Sequence, residues 1–354
     1  MRILKNRWYA GAWATEVQHG TLLGRRIADE PILFFRRENG QIAAISDSCP
    51  HRFAPLHRGR QVGDVVQCGY HGLEFDARGK CVRNPHGTGT LPNIGTRAYA
   101  AIDRYSVIWI WIGDTEANPS LIDEEFAFLA DPGRAHARGR FHVKANYQLM
   151  LDNLMDLSHA RYLHGDALMT EDLYKNFDPK LTVDGNYVKV TLEQRGVTAP
   201  GLFSPALPPG TERVDFYDYV KHVLPSQVSH DIAYTQLGAK PYLSSGVSSR
   251  SAHLFTPETA TTTHYFFDNS RDFMIDDKLT DQRVLGALQK AFGEEDIPMI
   301  EAQQRVLSDV DGRNLGRATL VTDRAAVAVR RNIEKNIAAQ EGAGMSTIAD
   351  VTDA

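Results

Sequence analysis

From Tyr9 to about Asp114 the chain is a series of short apolar runs cut by turn residues. Pro31-Ile32-Leu33-Phe34-Phe35 leads to Glu38-Asn39-Gly40, and Gln41-Ile42-Ala43-Ala44-Ile45 follows directly. Asn-Gly between two β-prone runs predicts a hairpin, because both residues tolerate positive φ. Leu73-Glu74-Phe75 and Cys81-Val82 flank Asp76-Ala77-Arg78-Gly79-Lys80 and predict a second hairpin. Val107-Ile108-Trp109-Ile110-Trp111-Ile112 is the longest strongly apolar stretch and reads as a buried strand. The first third is mostly antiparallel β.

The stretch from Asp114 to Arg140 holds Pro119, Pro132, Gly133 and Gly139 and reads as a connection. After it the pattern changes. Asn146 to His164 predicts a helix, with Leu149, Met150, Leu154, Leu157 and Tyr162 at helical spacings. Tyr187-Val188-Lys189-Val190-Thr191-Leu192 and Thr263-His264-Tyr265-Phe266-Phe267 are β-branched, aromatic or alternating, and predict strands. From Thr280 onward Val284, Leu285, Leu288, Phe292, Ile297, Ile300 and Val306 predict helix, interrupted around Gly293 and Pro298. The fold class is therefore α+β, with an antiparallel β domain at 1–115, a connection at 116–140, and a sheet flanked by helices at 141–354.

Composition narrows the function. At roughly 150 residues per domain, 354 residues suit two domains, or at most three. Thirty-nine Lys and Arg against 44 Asp and Glu leave a formal charge of -5, which predicts neither nucleic acid nor an anionic membrane as partner. No apolar run approaches the roughly 18 residues of a spanning helix. The basic residues Arg2, Lys5 and Arg7 are followed by no apolar run with a small-residue cleavage site, so no secretory signal is expected. Three cysteines cannot build a disulfide framework, and a reducing cytoplasm is the expected setting. Cys81 is read as a small strand residue. The other two cysteines call for chemistry.

Cys49-Pro50-His51 is followed, after sixteen intervening residues, by Cys68-Gly69-Tyr70-His71. Thiolate with imidazole selects zinc or an iron–sulfur cluster. Zinc motifs usually pair like with like, two cysteines on one knuckle and two histidines on a helix. Here each loop supplies one Cys and one His. A [2Fe–2S] cluster of Rieske type needs that arrangement, one iron taking both thiolates and the other both imidazoles. A Cys2His2 zinc site is the competing reading.

A second constellation lies in Asn153-Leu154-Met155-Asp156-Leu157-Ser158-His159-Ala160-Arg161-Tyr162-Leu163-His164. On a helix Asn153, Asp156 and His159 share a face. His164, five beyond His159, is rotated away, so the helix must distort or end for both imidazoles to meet one metal. Gly165 is a suitable breaker. Two imidazoles and a carboxylate form the facial triad of non-haem Fe(II) oxygenases. Hydrogen-bonded surface or core histidines are the plainer alternative for the pair alone.

Cys49-Pro50-His51-Arg52 and Cys68-Gly69-Tyr70-His71-Gly72 resemble the cluster loops of Rieske domains, and Asn84-Pro85-His86-Gly87 resembles the proline loop that shields the cluster. Asn153 to His164 resembles the Asn-x2-Asp-x2-His-x4-His signature of Rieske non-haem iron oxygenases. The resemblance runs from Asn6-Arg7-Trp8-Tyr9 to the C-terminal helix and is nearest to the vanillate and dicamba O-demethylase group. It implies a catalytic domain of helix-grip type. It implies cluster ligands Cys49, His51, Cys68 and His71, and a mononuclear iron held by His159 and His164. The third ligand it implies is Asp296, in Phe292-Gly293-Glu294-Glu295-Asp296-Ile297-Pro298-Met299-Ile300-Glu301, with Glu294 and Glu295 as competitors. It also implies that Asp156 links a neighbour's His71 to His159 or His164 of its own subunit, with Asn153 near the iron.

The expected reaction uses O2 and electrons from NAD(P)H, delivered by a separate reductase or ferredoxin, to hydroxylate an alkyl C–H of a methoxylated or N-alkylated aromatic. A head-to-tail homotrimer is implied. Ser251-Ala252-His253-Leu254-Phe255-Thr256-Pro257 resembles a demethylase strand whose histidine meets the substrate, which makes His253 a candidate donor. Ala287 stands where the dicamba enzyme has a bulky aromatic, so that wall is expected to be open. Ring dihydroxylation is the alternative reaction. A Rieske electron carrier and a zinc scaffold are the non-enzyme alternatives, and both leave the second half of the chain without a task.

Overall fold

The structure, a computed structural model, describes residues 2–87, 93–185, 187–199, 201, 204–239, 246–309 and 318–352. It divides into two units, one of Met1–Ile122 with Thr256–Ala260, the other of Asp123–Phe255 with Thr261–Ala354. Among the described residues no helix is long and apolar enough to cross a membrane.

The first unit is built of three sheets. Strands β1 (Arg7–Trp13), β2 (Leu23–Ile27), β3 (Glu30–Arg36), β4 (Ile42–Ser46), β5 (Arg60–Val62), β6 (Val65–Gln67), β7 (Glu74–Phe75), β8 (Cys81–Arg83), β9 (Ala98–Tyr99), β10 (Ala101–Arg104) and β11 (Val107–Ile112) order as β1-β11-β10, β2-β3-β4-β9 and β5-β6-β7-β8. Both expected hairpins form, β3/β4 and β7/β8, each antiparallel. Gly40 takes a φ of 82° in the first turn, which its lack of a Cβ permits. Every residue of β11 is buried, since the strand pairs with β1 on one edge and β10 on the other.

The second unit is a seven-stranded antiparallel sheet with helices on it. Its strands are β12 (Ala135–Val143), β13 (Lys180–Asp184), β14 (Tyr187–Val197), β15 (Val214–Val223), β16 (Gln227–Thr235), β17 (Gly246–Thr259) and β18 (Thr262–Arg271), in the order β12-β18-β17-β16-β15-β14-β13. The helices are α1 (Tyr147–Met155), α2 (His159–Leu163), α3 (Glu171–Lys175), α4 (Lys278–Leu288), α5 (Ile297–Asp309) and α6 (Arg324–Thr352). α6 packs on α1 and on β14, and α4 packs on β12. Part of the stretch read as a connection belongs to this unit, because Glu124–Ala130 forms 3-10 turns and β12 starts at Ala135.

Two helix expectations are corrected. Asn146 to His164 is not one helix. It breaks at Asp156 (φ -109°, ψ 90°), because the Asp156 carboxylate accepts from Ser158 N at 3.0 Å and from Ser158 Oγ at 2.6 Å. Such a local side-chain turn offers the backbone an alternative to continuing the helix. Nor is the later helix interrupted around Gly293 and Pro298. Gln289–Asp296 winds as a π-helix that joins α4 to α5. Pro298 has no N–H to give to the preceding turn, and a locally widened helix is where that loss is tolerated.

Candidate metal centres

The first pair of loops lies on the small sheets of the first unit. The Cys49 loop follows β4, and the Cys68 loop joins β6 to β7. The two fold alike. Cys49 N donates to Ala54 O at 2.9 Å and Phe53 N to Cys49 O at 2.7 Å. Likewise Cys68 N donates to Leu73 O at 2.8 Å and Gly72 N to Cys68 O at 3.0 Å. In each, the residue four past the cysteine has positive φ, 57° at Phe53 and 74° at Gly72. Glycine adopts this freely, whereas Phe53 adopts it at a cost and is largely exposed.

Both sulfurs are buried, each cysteine 2% exposed, and all three cysteines are free thiols. The His51 and His71 rings meet edge-on, 4.7 Å between centroids. Thus the thiols lie inward and the imidazoles outward, the polarity a two-iron cluster with unlike ends requires. Burial pushes the Cys49 thiol pKa up, and neighbouring Cys68 pushes the same way. Desolvation holds His71 below the ordinary histidine value, with His51 and Arg52 adding to it. A neutral imidazole is the form that binds metal. The loop after β8 closes over this end. His86 Nε2 lies 2.8 Å from His71 O, and Pro85 stands where a Cβ on Gly72 would be 3.2 Å away.

The second site is assembled from three helical segments of the second unit. Asn146 caps α1 with its side chain, taking Gln148 N at 2.9 Å. Arg330 of α6 grips α1 through Asp152 (Nε–Oδ1 2.7 Å) and Gln148 (3.0 Å). α5 holds the segment before α1, since Lys144 N donates to Glu301 at 2.9 Å and Asn146 N to Gln304 at 2.9 Å. These bonds tie the helix that carries Asp296 to the one that precedes the histidines. Gly293 leaves room for Phe141, whose ring would sit 3.0 Å from a Cβ there.

The break at Asp156 lets α2 start afresh, so His159 and His164 begin and end one short helix and converge. Gly165, with φ 59°, ends it. His159 Nε2 and His164 Nε2 lie 3.5 Å and 3.4 Å from Asp296 Oδ1, and Asn153 Nδ2 donates to that oxygen at 3.0 Å. Among the described residues this is the group of three whose ligand atoms all fall within 4.8 Å of one another. Asp296 is buried, Glu294 is exposed, and Glu295 turns to His164 Nδ1 at 2.7 Å. His159 Nδ1 meets the main-chain carbonyl of Asp156 at 2.5 Å. With each Nδ1–H donated outward, both Nε2 lone pairs face the carboxylate. Two ligand atoms each about 2.1 Å from one ion lie about 3 Å apart at right angles, so the set suits a single divalent metal. Burial opposes the charged form of His164, but Asp296 and Glu295 outweigh it and raise its pKa.

The implied role of the Asp156 carboxylate toward its own histidines is also corrected. That carboxylate is engaged by Ser158, and the link to His159 runs through the Asp156 carbonyl. The histidine not joined to Asp156, His164, takes Glu295, a residue weighed in the sequence only as a rival ligand.

The triad opens on a cavity of about 330 Å³ lined by Leu154, Leu157, Phe216, Tyr234, Ala287 and Phe292 among others. Such a volume suits a one-ring molecule. His253 lines it, buried, with Nδ1 2.7 Å from the Tyr265 hydroxyl and its ring edge-on to Phe292 at 5.4 Å. Sequence reasoning missed Asp218, His230 and Asn269, which line the same cavity from neighbouring strands. No motif marks them, because only the strand register brings them together.

Residues 7–95 match the family model of the Rieske [2Fe-2S] domain, and 143–339 that of the vanillate O-demethylase oxygenase C-terminal domain. Fold and sites together define a Rieske non-haem iron oxygenase. The oxygenase component of dicamba O-demethylase from Stenotrophomonas maltophilia is 37% identical over 95% of this chain and 98% of its own. That of chloroacetanilide N-alkylformylase from Rhizorhabdus wittichii is 35% identical over 95% and 96%. The crystal structure of dicamba monooxygenase bound to 3,6-dichlorosalicylic acid superposes with a TM-score of 0.91 at 36% identity, covering 96% of this chain and 99% of that one. The chain belongs to the vanillate O-demethylase family of Rieske oxygenases. It is an O2-dependent monooxygenase with a [2Fe–2S] cluster and a mononuclear iron, and it works as the oxygenase component of a multicomponent system.

Proposed function

We propose that this oxygenase dealkylates a small aromatic ether or N-alkyl aromatic, with Cys49, His51, Cys68 and His71 holding the cluster and His159, His164 and Asp296 the iron. The observation that carries the reading is the convergence of two imidazole Nε2 atoms on one buried carboxylate at the wall of a cavity sized for one ring. Iron bound there supplies reductive activation of O2. The protein's own groups do the rest. Glu295 and the Asp156 carbonyl fix the imidazoles' orientation, Asn153 steadies Asp296, and the apolar walls exclude water and present the alkyl carbon. One oxygen atom enters the C–H bond, and the other leaves as water with two electrons and two protons. The resulting hemiacetal or hemiaminal collapses to a phenol or amine plus an aldehyde.

Dicamba O-demethylase and the N-alkylformylase represent the two bond types, and both reactions need this same machinery. A reductase or ferredoxin partner, a head-to-tail homotrimer and a cytoplasmic setting complete the reading. Across the trimer junction the Asp156 Oδ2, which makes no hydrogen bond among the described residues, would receive the neighbour's His71. The test is an aerobic turnover screen of aromatic ethers and anilides with a reductase. Aldehyde released in step with O2 and NADH consumed is the expected result. Oxygen uptake that yields only ring diols would replace dealkylation by dihydroxylation.

A further inference from the structure

One wall of the cavity is the sheet itself, and a polar row crosses four neighbouring strands there. His230 of β16 places Nε2 2.7 Å from Asp218 Oδ1 of β15. His230 stands opposite Ser251 of β17 in the strand register. Ser251 Oγ in turn accepts from Asn269 Nδ2 of β18 at 2.9 Å, and Ser249 Oγ accepts the other Nδ2 proton at 2.8 Å. Asp218, His230, Ser251 and Asn269 all line the cavity, as does His253, two residues beyond Ser251 on the same face of β17.

Two atoms of this wall are buried without partners, His253 Nε2 and Asn269 Oδ1. Their chemistry follows from what the rest of each side chain does. The Tyr265 hydroxyl is buried and its hydrogen bond is to His253 Nδ1. Among the described residues Nδ1 is the acceptor available to that hydroxyl, and assigning its proton there puts the neutral ring's own proton on Nε2. Burial, reinforced by His230, keeps that ring neutral. His253 thus presents a donor. Asn269 has given both N–H groups to serines and presents an acceptor. Buried polar groups left unpaired are costly, and a ligand that satisfies both gains what each lacks.

The sheet wall also presents a carboxyl group, Asp218. His230 is hydrogen-bonded to Asp218, and Lys290, which also lines the cavity, is mostly exposed and within 3.8 Å of Glu295. A carboxylate would find His253 to donate to it. It would then set an oxygen against Asn269 Oδ1 and lie near Asp218, and both oppose its charge.

We propose that this cavity selects an uncharged aromatic bearing a carboxamide-like group, whose C=O accepts from His253 Nε2 and whose N–H donates to Asn269 Oδ1, and that it discriminates against the carboxylate of the same shape. The proposal rests on the dealkylation reading for the ether or N-alkyl end of that substrate.

The test is calorimetric binding to the holoenzyme of the isomeric methoxybenzamides, their methyl methoxybenzoate counterparts and the methoxybenzoates. In the best-binding isomer the amide should bind about tenfold tighter than the ester and about a hundredfold tighter than the carboxylate. Asn269→Leu should bring the amide-to-ester ratio to about one. His253→Phe should weaken amide and ester alike. The wild-type series needs no variant and decides alone if either substitution unfolds the chain. A carboxylate that binds as tightly as its amide, no amide binding, or an intact ratio in a folded Asn269→Leu protein overturns the proposal. Formaldehyde release separates the two readings. Amide preference without formaldehyde from any ether supports the pocket and sinks the dealkylation, whereas formaldehyde with the carboxylate preferred does the reverse.

Discussion

The cluster loops and the iron helices solve one problem, holding a metal in fixed geometry, by different means. Each cluster loop is closed by its own main chain, with the same pair of hydrogen bonds spanning four and five residues around Cys49 and around Cys68. The loops need little from the rest of the fold beyond a sheet to sit on. The iron site has no such local frame. His159 and His164 come from one short helix, Asp296 from another more than 130 residues away, and their alignment rests on bonds such as Lys144 N to Glu301 and Arg330 to Asp152. A site closed by its own loops is damaged by losing a ligand. A site closed by the fold can also be damaged from its supports.

The sharpest contrast comes from removing a cluster ligand. Cys68→Ser should abolish the rhombic EPR signal of the reduced centre and all turnover, while iron remains at the triad. A full-intensity signal in that protein would remove Cys68 from the ligand set.

Next in size is the proposed link from Asp156 to a neighbouring subunit. Asp156→Asn should leave both iron centres filled, because Asn keeps an oxygen for Ser158 and the main-chain carbonyl that orients His159 is unchanged. Electron delivery to the iron should slow severely, by roughly a hundredfold, because Asn takes away the charge that Oδ2 would offer the neighbour's His71. Stopped-flow oxidation of the reduced cluster, with substrate and O2 present, measures it. Wild-type kinetics would place the electron path elsewhere.

What could be read from the sequence divides along the same line. The Cys-x-His and Cys-x-x-His spacings were legible because the chemistry sits within a few residues. The β3/β4 hairpin was legible because Asn39-Gly40 demands a turn. The break at Asp156 was not, since Leu149 to Tyr162 keeps a helical period across it. A period cannot show a carboxylate capturing the serine two residues on, and Tyr162, counted in that period, is 78% exposed. Gly293 and Pro298 looked like breakers. A π-helix leading into α5 instead keeps the backbone helical through both, and Gly293 lets the ring of Phe141 come close. Asp218, His230, Ser251 and Asn269 stand on four different strands, and nothing in the linear order announces their meeting.

A support of the iron site gives the smallest effect. Glu295→Gln replaces the charged acceptor at His164 Nδ1 with a neutral one, and iron affinity should fall by about tenfold or somewhat more. Competition with a chelator would show the difference, with the cluster spectrum unchanged. Equal affinity would mean that Glu295 orients nothing.

The most direct check of independent construction is iron content together with EPR for Asp296→Ala beside the wild type. The variant should lose the mononuclear iron and all aldehyde formation, while both cluster irons and the rhombic signal stay at wild-type level. Wild-type iron and turnover in Asp296→Ala, or loss of the cluster along with the mononuclear iron, would contradict it.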